Sequence, residues 1–572
     1  MRKHLYSFIS CVIIIVSILA YRIGSISPQK PLNVTRWDAF GYYMYLPAVF
    51  IYHDYKQLNW LDSIDKKYAL TGGNGWQAAK VENGNYTFKY LGGVAVMQLP
   101  LFLVGHAIAV NSNYPPDGFS PPYQYALSFG VILYCFLGLL LLRRILLRYY
   151  DDATVAVTLL LLCLASNFLE YAGYGNGLSH AYIFSLYVLV LYATLKWHEK
   201  PKWTWAALTG YIIGLATMSR PTEAIMLFIP LLWDTNTKAA AKDKWQKVFA
   251  HKSHIIAIAG GGLLGILPQL IYWKLSTGSF IYDVGSKWVF LNPWFRVLFG
   301  WEKGWFIYTP VTVFFIIGMF FLKKFPFKNT VIWFCLLNIW IIIAWDEWRY
   351  GGTYSTRALV QSYPLFALSL AAVTQRVIHG KWRYLGMLLG IYLIGVNIFQ
   401  TYQYNKTILH FDDMNRLYYG RIYLNPNPSP LDISLMDTDE ALNDDDDFKK
   451  QMVFAQDSSI QLQIAASDSA MLFQQTLSSI VNECWFKIEA SIKAPDHLWE
   501  SNIYAQFAAA DTVKQAHIRL YSPIAENEAA NRYAFYFKIP QSKEGVLRVY
   551  LKSPHPFEGE LKSLRITRLD KH

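Results

Sequence analysis

The chain has 572 residues, of which 53% are hydrophobic and only 16% are charged. This length and composition exclude a single ordinary soluble domain and indicate a membrane protein. The net charge of +12 could suggest a nucleic-acid partner. However, the basic residues gather in short loops between apolar segments, as the positive-inside rule requires, and we therefore expect no nucleic-acid partner.

Apolar segments recur through the first part of the chain, and many are near the ~20 residues that cross a bilayer. Arg2 and Lys3 precede the first segment, about residues 5–22, and predict a cytoplasmic N-terminus. Segment 90–110 contains Pro100 and His106, so we interpret it as a juxtamembrane or re-entrant element on the outer side. The alternation of basic and non-basic loops then predicts about eleven transmembrane helices, with the C-terminus outside.

The C-terminal region has a different pattern. Asp437 to Asp447 is an acidic run that is typical of a solvated linker, and it lacks the Gly and terminal Glu of an EF-hand calcium loop. Beyond it, apolar and polar residues alternate with turn signals between the runs, which predicts an antiparallel β-sandwich on the outer side. We therefore expect a transmembrane domain over residues 1–405, a linker with the acidic run over 406–450 and a jelly-roll-like β-sandwich over 451–572.

Asp38 lies in an aromatic run just after the first apolar segment, in the sequence RWDAFGYYMYLPA that starts at Arg36. Trp and Tyr favour the membrane interface because their rings are apolar while their N–H or O–H groups stay hydrated. The carboxylate is therefore either a routine loop residue or a catalytic base at the edge of the bilayer.

Four further clusters are expected on the same outer face as Asp38. They are residues 174–180 with His180, residues 218–223 with Arg220, residues 299–310 with Lys303 and residues 345–357 with Arg357. Each has a plain alternative: a simple turn with a satisfied His180, an Arg220–Glu223 pair at a helix bend, or aromatic and cationic anchors at the interface. Four such clusters on one face favour a shared site over separate coincidences.

One carboxylate and several cations at the lipid boundary suit a substrate with a lipid tail and a phosphate. Transfer of a sugar from a polyprenyl phosphate needs a carboxylate to accept the acceptor's proton and cations to stabilise the leaving phosphate. The sequence contains no evident P-loop, dinucleotide fingerprint or H-E-x-x-H metal motif.

These motifs resemble those of a known family. They are D-x-x-x-Y-Y-x-Y-L-P-A from Asp38, G-L-x-x-x-x-R-P at 214–221, G-W-x-K-G-x-F-x-Y-T-P at 300–310 and G-G-x-x-x-x-R at 351–357. Together they resemble the GT-C membrane glycosyltransferases, of the bacterial protein-mannosyltransferase and aminoarabinose-transferase type, over residues 1 to about 405. The resemblance implies an inverting transfer from a polyprenyl-phosphate sugar, with Asp38 as the general base, in the bacterial inner (plasma) membrane.

The resemblance also suggests the other site residues and partners. Expected at the donor phosphate are Arg357, Lys303 and Arg220, with His180 and Lys89 secondary, and expected along the substrate groove are Trp37, Tyr42, Tyr43 and Arg349. No cofactor is implied. Many relatives carry an Asp-Glu pair where this chain has Asp38 followed by Ala39, so a role for a divalent metal stays open. The acceptor is a glycan, a lipid or a protein.

The main alternative is a lipid or sugar transporter or flippase with a glycan-binding outer domain, because transporters also contain buried charges and broken helices. A pure binding or scaffolding protein is the third reading. Glycan binding would use Trp485, Trp499 and Tyr504, although we favour these aromatic residues as core residues of the sandwich.

Overall fold

The structure is a computed structural model, which describes residues 4–28, 31–442, 444–480, 484–494, 500–510, 512–521, 523 and 531–571. The chain divides into two compact units, residues 1–401 and 402–572. The sequence-based division at residue 405 lies close to this boundary.

The first unit is helical apart from one small hairpin of β1 (Ala78–Lys80) and β2 (Tyr86–Phe88). Its helices before residue 200 are α1 (Leu5–Gly24), α2 (Asp38–Tyr43), α3 (Tyr45–Phe50), α4 (Leu61–Tyr68), α5 (Gly93–Val110), α6 (Pro121–Leu146), α7 (Asp152–Leu164), α8 (Phe168–Ala172) and α9 (Ser179–Glu199). Those after it are α10 (Trp203–Ser219), α11 (Phe228–Leu232), α12 (Lys238–Ala250), α13 (Lys252–Thr277), α14 (Arg296–Phe299), α15 (Trp305–Tyr308), α16 (Thr312–Met319), α17 (Lys328–Ile343), α18 (Tyr363–Ile378) and α19 (Arg383–Asn405). Two 3₁₀ helices, Pro221–Leu227 and Arg357–Ser362, follow α10 and precede α18.

Five described helices are long and apolar enough to cross a membrane: α1, α5, α6, α13 and α19. The chain is therefore an integral membrane protein. Length and apolar composition thus identify fewer candidate spans among the described residues than the eleven that were predicted. Several of the predicted segments form shorter apolar helices, such as α7 and α17. The higher count and the orientation stay predictions.

Segment 90–110, which we interpret as a juxtamembrane or re-entrant element, contains one long helix, α5. The segment forms a continuous helix around Pro100, and its 18 residues would extend about 27 Å, close to the thickness of the apolar layer. Yet Gly93 packs against Ser219 and Gly105 packs against Tyr123, two residues that the loop charges place towards the same face. The length of α5 thus permits a crossing, whereas these packing contacts fit a re-entrant element, which stays a prediction.

The sequence correctly predicted a break at Pro221. Helix α10 ends at Ser219, Arg220 takes an extended conformation (φ −150°, ψ 123°), and Pro221 opens a 3₁₀ helix. Proline disfavours a helical conformation in the residue before it, which explains this boundary. Further back in α10, a Cβ on Gly214 would lie 2.2 Å from the carbonyl oxygen of Gly262, so α10 and α13 approach through small residues.

The second unit begins with two short helices, α20 (Arg416–Ile422) and α21 (Pro430–Ser434). Its strands are β3 (Phe448–Gln456), β4 (Ile460–Ile464), β5 (Ser469–Ile480), β6 (Cys484–Lys493), β7 (Asn502–Ala509), β8 (Val513–Arg519), β9 (Asn531–Ile539), β10 (Ser542–Lys552) and β11 (Phe557–Lys571). They form two antiparallel sheets with the orders β5-β10-β7-β8 and β3-β11-β6-β9, and β4 also pairs with β11. Inward residues of both sheets, such as Phe507 and Phe537, share one buried cluster.

Two sequence-based expectations for this unit need correction. The acidic run is not a free linker: Asp437 pairs with Arg519 at 2.6 Å, Glu440 pairs with Lys514, and Asp445 pairs with Lys450 at 2.7 Å. Basic side chains on the strands attract these carboxylates. Trp485 and Tyr504 do not lie in the core but on partly exposed faces, because they occupy the outward positions of the period-two alternation. Trp499 lies outside the described residues.

Candidate functional site

Asp38 is the first residue of α2, and the backbone before it is tightly held. Trp37 has a φ of 54°, which is rare and strained for a bulky residue. Its N–H donates to the carbonyl oxygen of Leu70 at 2.8 Å, and its own carbonyl oxygen accepts from Gln77 Nε2 at 3.2 Å. Backbone strain of this kind is concentrated at functional sites, where the surroundings stabilise it. The Trp37 side chain remains 53% exposed beside the carboxylate.

Both oxygens of the Asp38 carboxylate have partners. Tyr90 donates its hydroxyl to Oδ1 at 2.7 Å, and Arg357, 319 residues away in sequence, forms an ion pair with Oδ2. Burial, followed by the charge of Asp38, raises the pKa of the Tyr90 phenol, so Tyr90 stays a proton donor. Burial opposes the charge of Arg357, but Asp38 more than offsets it and raises the pKa of the guanidinium.

The loop before Arg357 is also held in an unusual conformation. Tyr350 and Ser355 have positive φ values of 57° and 55°. The ammonium of Lys303 donates to the carbonyl oxygens of Arg349, at 2.7 Å, and Gly351. Lys303 is only 4% exposed, so in this structure it fixes the loop that presents Arg357.

The glycine-rich turn at residues 174–180 packs directly against the Asp38 segment. A Cβ on Gly177 would lie 1.9 Å from the carbonyl oxygen of Val34, so only glycine permits this approach. Tyr42 follows from α2, with its ring 4.8 Å from that of Tyr90 and its hydroxyl 3.4 Å from Ser179 Oγ. The turn thereby brings the start of α9, including His180, to the site.

His180 is 2% exposed, and its Nδ1 lies 2.8 Å from Oε1 of Gln361. Its ring makes an edge contact with Tyr171 at 5.2 Å. The ring is also close enough to Arg220 and Arg357 to interact electrostatically with both. His180, Arg220 and Arg357 thus come from three separate segments to one region of the first unit.

Arg220 is half-buried, and its guanidinium makes no hydrogen bond or ion pair with any residue that the structure describes. Arg220 and Glu223 interact electrostatically without a direct contact, so the structure contains only a longer-range form of the Arg220–Glu223 pairing. Glu223 is 1% exposed and accepts hydrogen bonds from Tyr187 at 2.5 Å and from Gln361 Nε2 at 3.0 Å. Arg220 is left as a cation near the site without a protein counter-charge in direct contact.

Three of the predicted site residues, Tyr43, Arg349 and Lys89, are placed differently from the others. Tyr43 is fully buried, donates to the carbonyl oxygen of Gly118 and packs on Phe102, so it faces away from Asp38. Arg349 is exposed and contributes its backbone oxygen to Lys303. Lys89 is exposed, immediately before Tyr90.

Sequence reasoning missed Tyr90 and Gln361 as site residues. Tyr90 carried a weak signal, because it follows the candidate Lys89 and opens a Tyr-Leu-Gly-Gly turn. Gln361 carried one as well, because it lies about one turn after Arg357.

Among the described residues, one group of acidic, Cys or His side chains is close enough to share a metal ion, and it consists of Asp444, Asp445 and Asp446. Two of these carboxylates pair with Lys450 in the second unit, and exposed acidic groups often occur without an ion. Near Asp38 the residues form ion pairs and hydrogen bonds instead, so the described geometry gives no basis for assigning a metal there.

The geometry can be set beside known proteins. Residues 123–272 match the family described as dolichyl-phosphate-mannose-protein mannosyltransferase. This match covers about a quarter of the chain and agrees with the mannosyltransferase type of the resemblance drawn from the sequence motifs. The match runs from α6 to α13, without the first two residues of α6 and the last five of α13, and it includes both His180 and Arg220. No curated protein sequence matches the chain.

Two solved structures align with this chain. AglB, an oligosaccharyltransferase from Archaeoglobus fulgidus in complex with an inhibitory peptide and a dolichol-phosphate, is 12% identical, with a TM-score of 0.42 over 73% of this chain and 57% of that one. ArnT from Cupriavidus metallidurans in the apo state is also 12% identical, with a TM-score of 0.42 over 72% of this chain and 68% of that one. The chain thus spans little more than half the length of the oligosaccharyltransferase.

Proposed function

We propose that this protein is a glycosyltransferase that moves a sugar from a polyprenyl-phosphate donor to a hydroxyl group of an extracytoplasmic acceptor, with inversion at the anomeric carbon. It acts in a bacterial inner membrane, with its N-terminus in the cytoplasm and its C-terminal sheet domain outside. The acceptor is a glycan, a lipid or a protein. The match to a mannosyltransferase family supports transfer chemistry and does not favour the transporter alternative.

The observation that carries this proposal is the direct contact of Asp38 with Arg357 across 319 residues of sequence. Ionisable residues at membrane depth are costly and usually functional. A surface anchor would not need an acid from the first loop to meet a cation from the loop before α18. The contact supports a shared site that holds both a base and cations.

Asp38 is the general base of the proposed reaction. The acceptor oxygen attacks the anomeric carbon from the face opposite the phosphate, and its proton passes to the carboxylate. As the new carbon–oxygen bond forms, the bond to the phosphate oxygen breaks, and the polyprenyl phosphate leaves with that electron pair. In the free protein Arg357 holds the carboxylate, so attraction of Arg357 towards the donor phosphate would release Asp38 for this task.

The donor phosphate is held by Arg220 and Arg357 in this proposal. Arg220 makes no hydrogen bond or close ion pair through its side chain among the described residues, and a guanidinium binds phosphate through charge-assisted, often bidentate hydrogen bonds. Such donors stabilise the charge that develops on the leaving phosphate. Lys303 supports Arg357 by fixing its loop, and Lys89 is a secondary phosphate contact. Trp37 and Tyr42 line the groove beside the carboxylate.

The proposal is tested with membranes that contain the full-length protein, incubated with labelled undecaprenyl-phosphate sugars. We expect label to move to an envelope acceptor. Asp38→Asn keeps the shape of the side chain and removes its basicity, so it should lower transfer by about 10²- to 10⁴-fold without loss of folded protein. Asp62→Asn, at an exposed acid in α4, is the matched control and should leave transfer unchanged. Full activity in Asp38→Asn would overturn the mechanism.

A further inference from the structure

Four buried side chains beside the proposed site form one continuous hydrogen-bond chain, which we call the relay. Its members are Tyr187, Glu223, Gln361 and His180, and each is no more than 2% exposed. Tyr187 donates to Glu223 Oε2 at 2.5 Å, Gln361 Nε2 donates to Glu223 Oε1 at 3.0 Å, and Gln361 Oε1 lies 2.8 Å from His180 Nδ1. A buried carboxylate must be satisfied in this way, because an unpaired one is strongly destabilising.

The relay also links the two arginines of the site. Glu223 lies three residues after Arg220, in the 3₁₀ helix that Arg220 precedes, and Gln361 lies four residues after Arg357 in the other 3₁₀ helix. A 3₁₀ helix has three residues per turn, so Glu223 and Gln361 are each about one turn from the arginine before them. The hydrogen bond between Gln361 and Glu223 therefore ties together the two segments that present Arg220 and Arg357.

The order of donors and acceptors determines which nitrogen of His180 carries the proton. In the structure Gln361 turns its NH₂ group towards Glu223, which accepts the hydrogen bond in its ionised form. Its carbonyl oxygen then faces His180 and can only accept, so His180 must donate from Nδ1. In a neutral imidazole the other nitrogen, Nε2, carries the lone pair.

The surroundings of Nε2 favour a neutral ring that accepts a hydrogen bond. Within the described residues Nε2 has no hydrogen-bond partner. Burial of the ring opposes the binding of a further proton, and the positive charges of Arg220 and Arg357 add to this effect. A neutral Nε2 lone pair repels a phosphate oxygen and attracts a hydroxyl group.

We propose that His180 binds a sugar hydroxyl of the donor by accepting its hydrogen bond at Nε2, and that Gln361 and Glu223 are positioning residues that hold His180 in this tautomer. This rests on the proposed function, since the two arginines that flank His180 would hold the phosphate next to that sugar. It assigns His180 to the sugar rather than to the phosphate, where the sequence resemblance had placed it. The relay thereby supplies recognition of a glycosyl phosphate as distinct from a bare phosphate.

The tautomer is measured by NMR on the full-length protein with isotope-labelled histidine, where the His180 signals are those that disappear in His180→Gln. We expect a protonated Nδ1 and an unprotonated Nε2 in the unmodified protein. Gln361→Met removes the acceptor at nearly constant volume and should move the proton to Nε2. Gln98→Met is the matched control, because Gln98 is another buried glutamine in the same unit outside the relay, and it should change nothing.

A proton on Nε2 in the unmodified protein, or an unchanged tautomer in Gln361→Met, would overturn the inference. If Gln361→Met does not fold, Glu223→Gln serves in its place. It keeps the size of the side chain but allows the Gln361 amide to reverse, so it should give a mixture of tautomers. A single unchanged tautomer in Glu223→Gln would overturn the inference equally.

A second measurement separates this inference from the proposed function, with undecaprenyl phosphate, which has no sugar, as the probe. His180→Phe should change its affinity by less than about twofold, whereas Arg220→Ala should lower it at least roughly tenfold, the loss of one charge-assisted hydrogen bond. An equal loss in both variants would make His180 a phosphate ligand and overturn the inference. No loss in Arg220→Ala, with the expected tautomer intact, would instead count against the phosphate site of the proposed function.

Discussion

Arg519 in the second unit and Arg220 in the first are both partly buried arginines, but their surroundings differ. Arg519 donates from Nε to Asp437 at 2.7 Å and from Nη1 to Asp413 at 2.7 Å, and its backbone N–H also meets Asp437. Arg220 has no such partner among the residues described. Removing a cation that carboxylates contact directly leaves those carboxylates without a counter-charge, whereas a cation without such direct contacts, close to a second arginine, leaves room for an anionic ligand.

The same contrast exists within the first unit. Arg22 is 3% exposed and donates to Ser128 at 2.8 Å and to the carbonyl oxygen of Tyr174 at 3.1 Å. Lys303 donates to two loop carbonyls. Burial alone therefore does not mark a functional cation. The number of protein partners separates Arg220 from these two residues, and substitutions can test whether that difference is functional.

The largest effect on folding is expected at Arg519. Arg519→Ala leaves Asp437, which is 6% exposed, without its counter-charge, and should destabilise the second unit by about 3 kcal/mol. Hydrogen exchange of β8 and β9 in the full-length protein measures this loss. Arg519→Lys keeps the charge without the planar fork and should lose less. Unchanged exchange in Arg519→Ala would mean that the matched pair is not structural.

Arg220→Ala should instead lower the affinity for the ligand much more than the stability of the fold. We expect the affinity for undecaprenyl phosphate to fall roughly 30-fold, or about 2 kcal/mol, because a hydrogen bond to a charged group is lost. Thermal stability should fall less than in Arg519→Ala, because no described residue loses a hydrogen bond and Glu223 loses only a longer-range charge interaction. Arg376→Ala is the control: Arg376 stacks over Phe321 at 4.3 Å in the last turn of α18, and its removal should leave lipid affinity unchanged. A loss of stability without a loss of affinity would make Arg220 a structural residue like Arg519.

His410 should make the stability of the second unit depend on pH, in addition to any dependence that arises from its ion pairs. Burial lowers the pKa of the imidazole from 6.5 to about 4, and Nδ1 accepts backbone N–H groups from Asp412 at 3.1 Å and Asp413 at 2.8 Å. Because the folded pKa is depressed, the stabilisation is present above pH 6.5 and is lost as the pH falls towards 4. Between pH 7 and pH 5.5 the loss should be about 1 kcal/mol.

His410→Asn tests this dependence, because the Asn side-chain oxygen can accept at the position of Nδ1 but does not titrate. Hydrogen exchange of the second unit at pH 7 and pH 5.5 should differ in the unmodified protein and differ less in the variant. An equal difference in both would assign the dependence to the carboxylates, not to His410.

The two units also differ in how far the sequence predicted them. Local patterns were enough for the sheet-rich C-terminal domain, the break at Pro221 and the aromatic run around Asp38. The aromatic run did not reveal which ring faces the site, because successive residues of a helix point about 100° apart. Tyr42 therefore packs on Tyr90, whereas Tyr43 enters a separate cluster with Phe102.

Contacts between distant segments were the least predictable part. The four motifs suggested a common site, but not that Arg357 contacts Asp38 or that Lys303 binds backbone oxygens. From the sequence, Glu223 was considered only as a partner for Arg220, since the two are neighbours in the chain. Its hydrogen-bond partners in the structure, Tyr187 and Gln361, come from other helices. Similarly, the composition of the acidic run predicted a solvated linker. Its ion pairs were missed because the basic partners lie on strands whose register the sequence does not give.

The smallest effect is expected at Lys450, which tests whether matching alone makes an ion pair structural. Its ammonium lies 2.7 Å from Asp445 and 2.8 Å from Asp446, but its side chain is 43% exposed. Solvent screens such a pair, so Lys450→Ala should change the stability of the second unit much less than Arg519→Ala, measured by the same exchange experiment. Arg519 and Lys450 each meet two carboxylates, but those of Lys450 are more exposed and Asp445 also pairs with Lys487, so the gap between their effects reports how burial and the remaining partner change the loss. If Lys450→Ala destabilised the second unit as much as Arg519→Ala, the number of carboxylate partners, and not their burial, would decide the loss of stability. Arg220 would then differ from Arg519 and Lys450 only in having no carboxylate in direct contact.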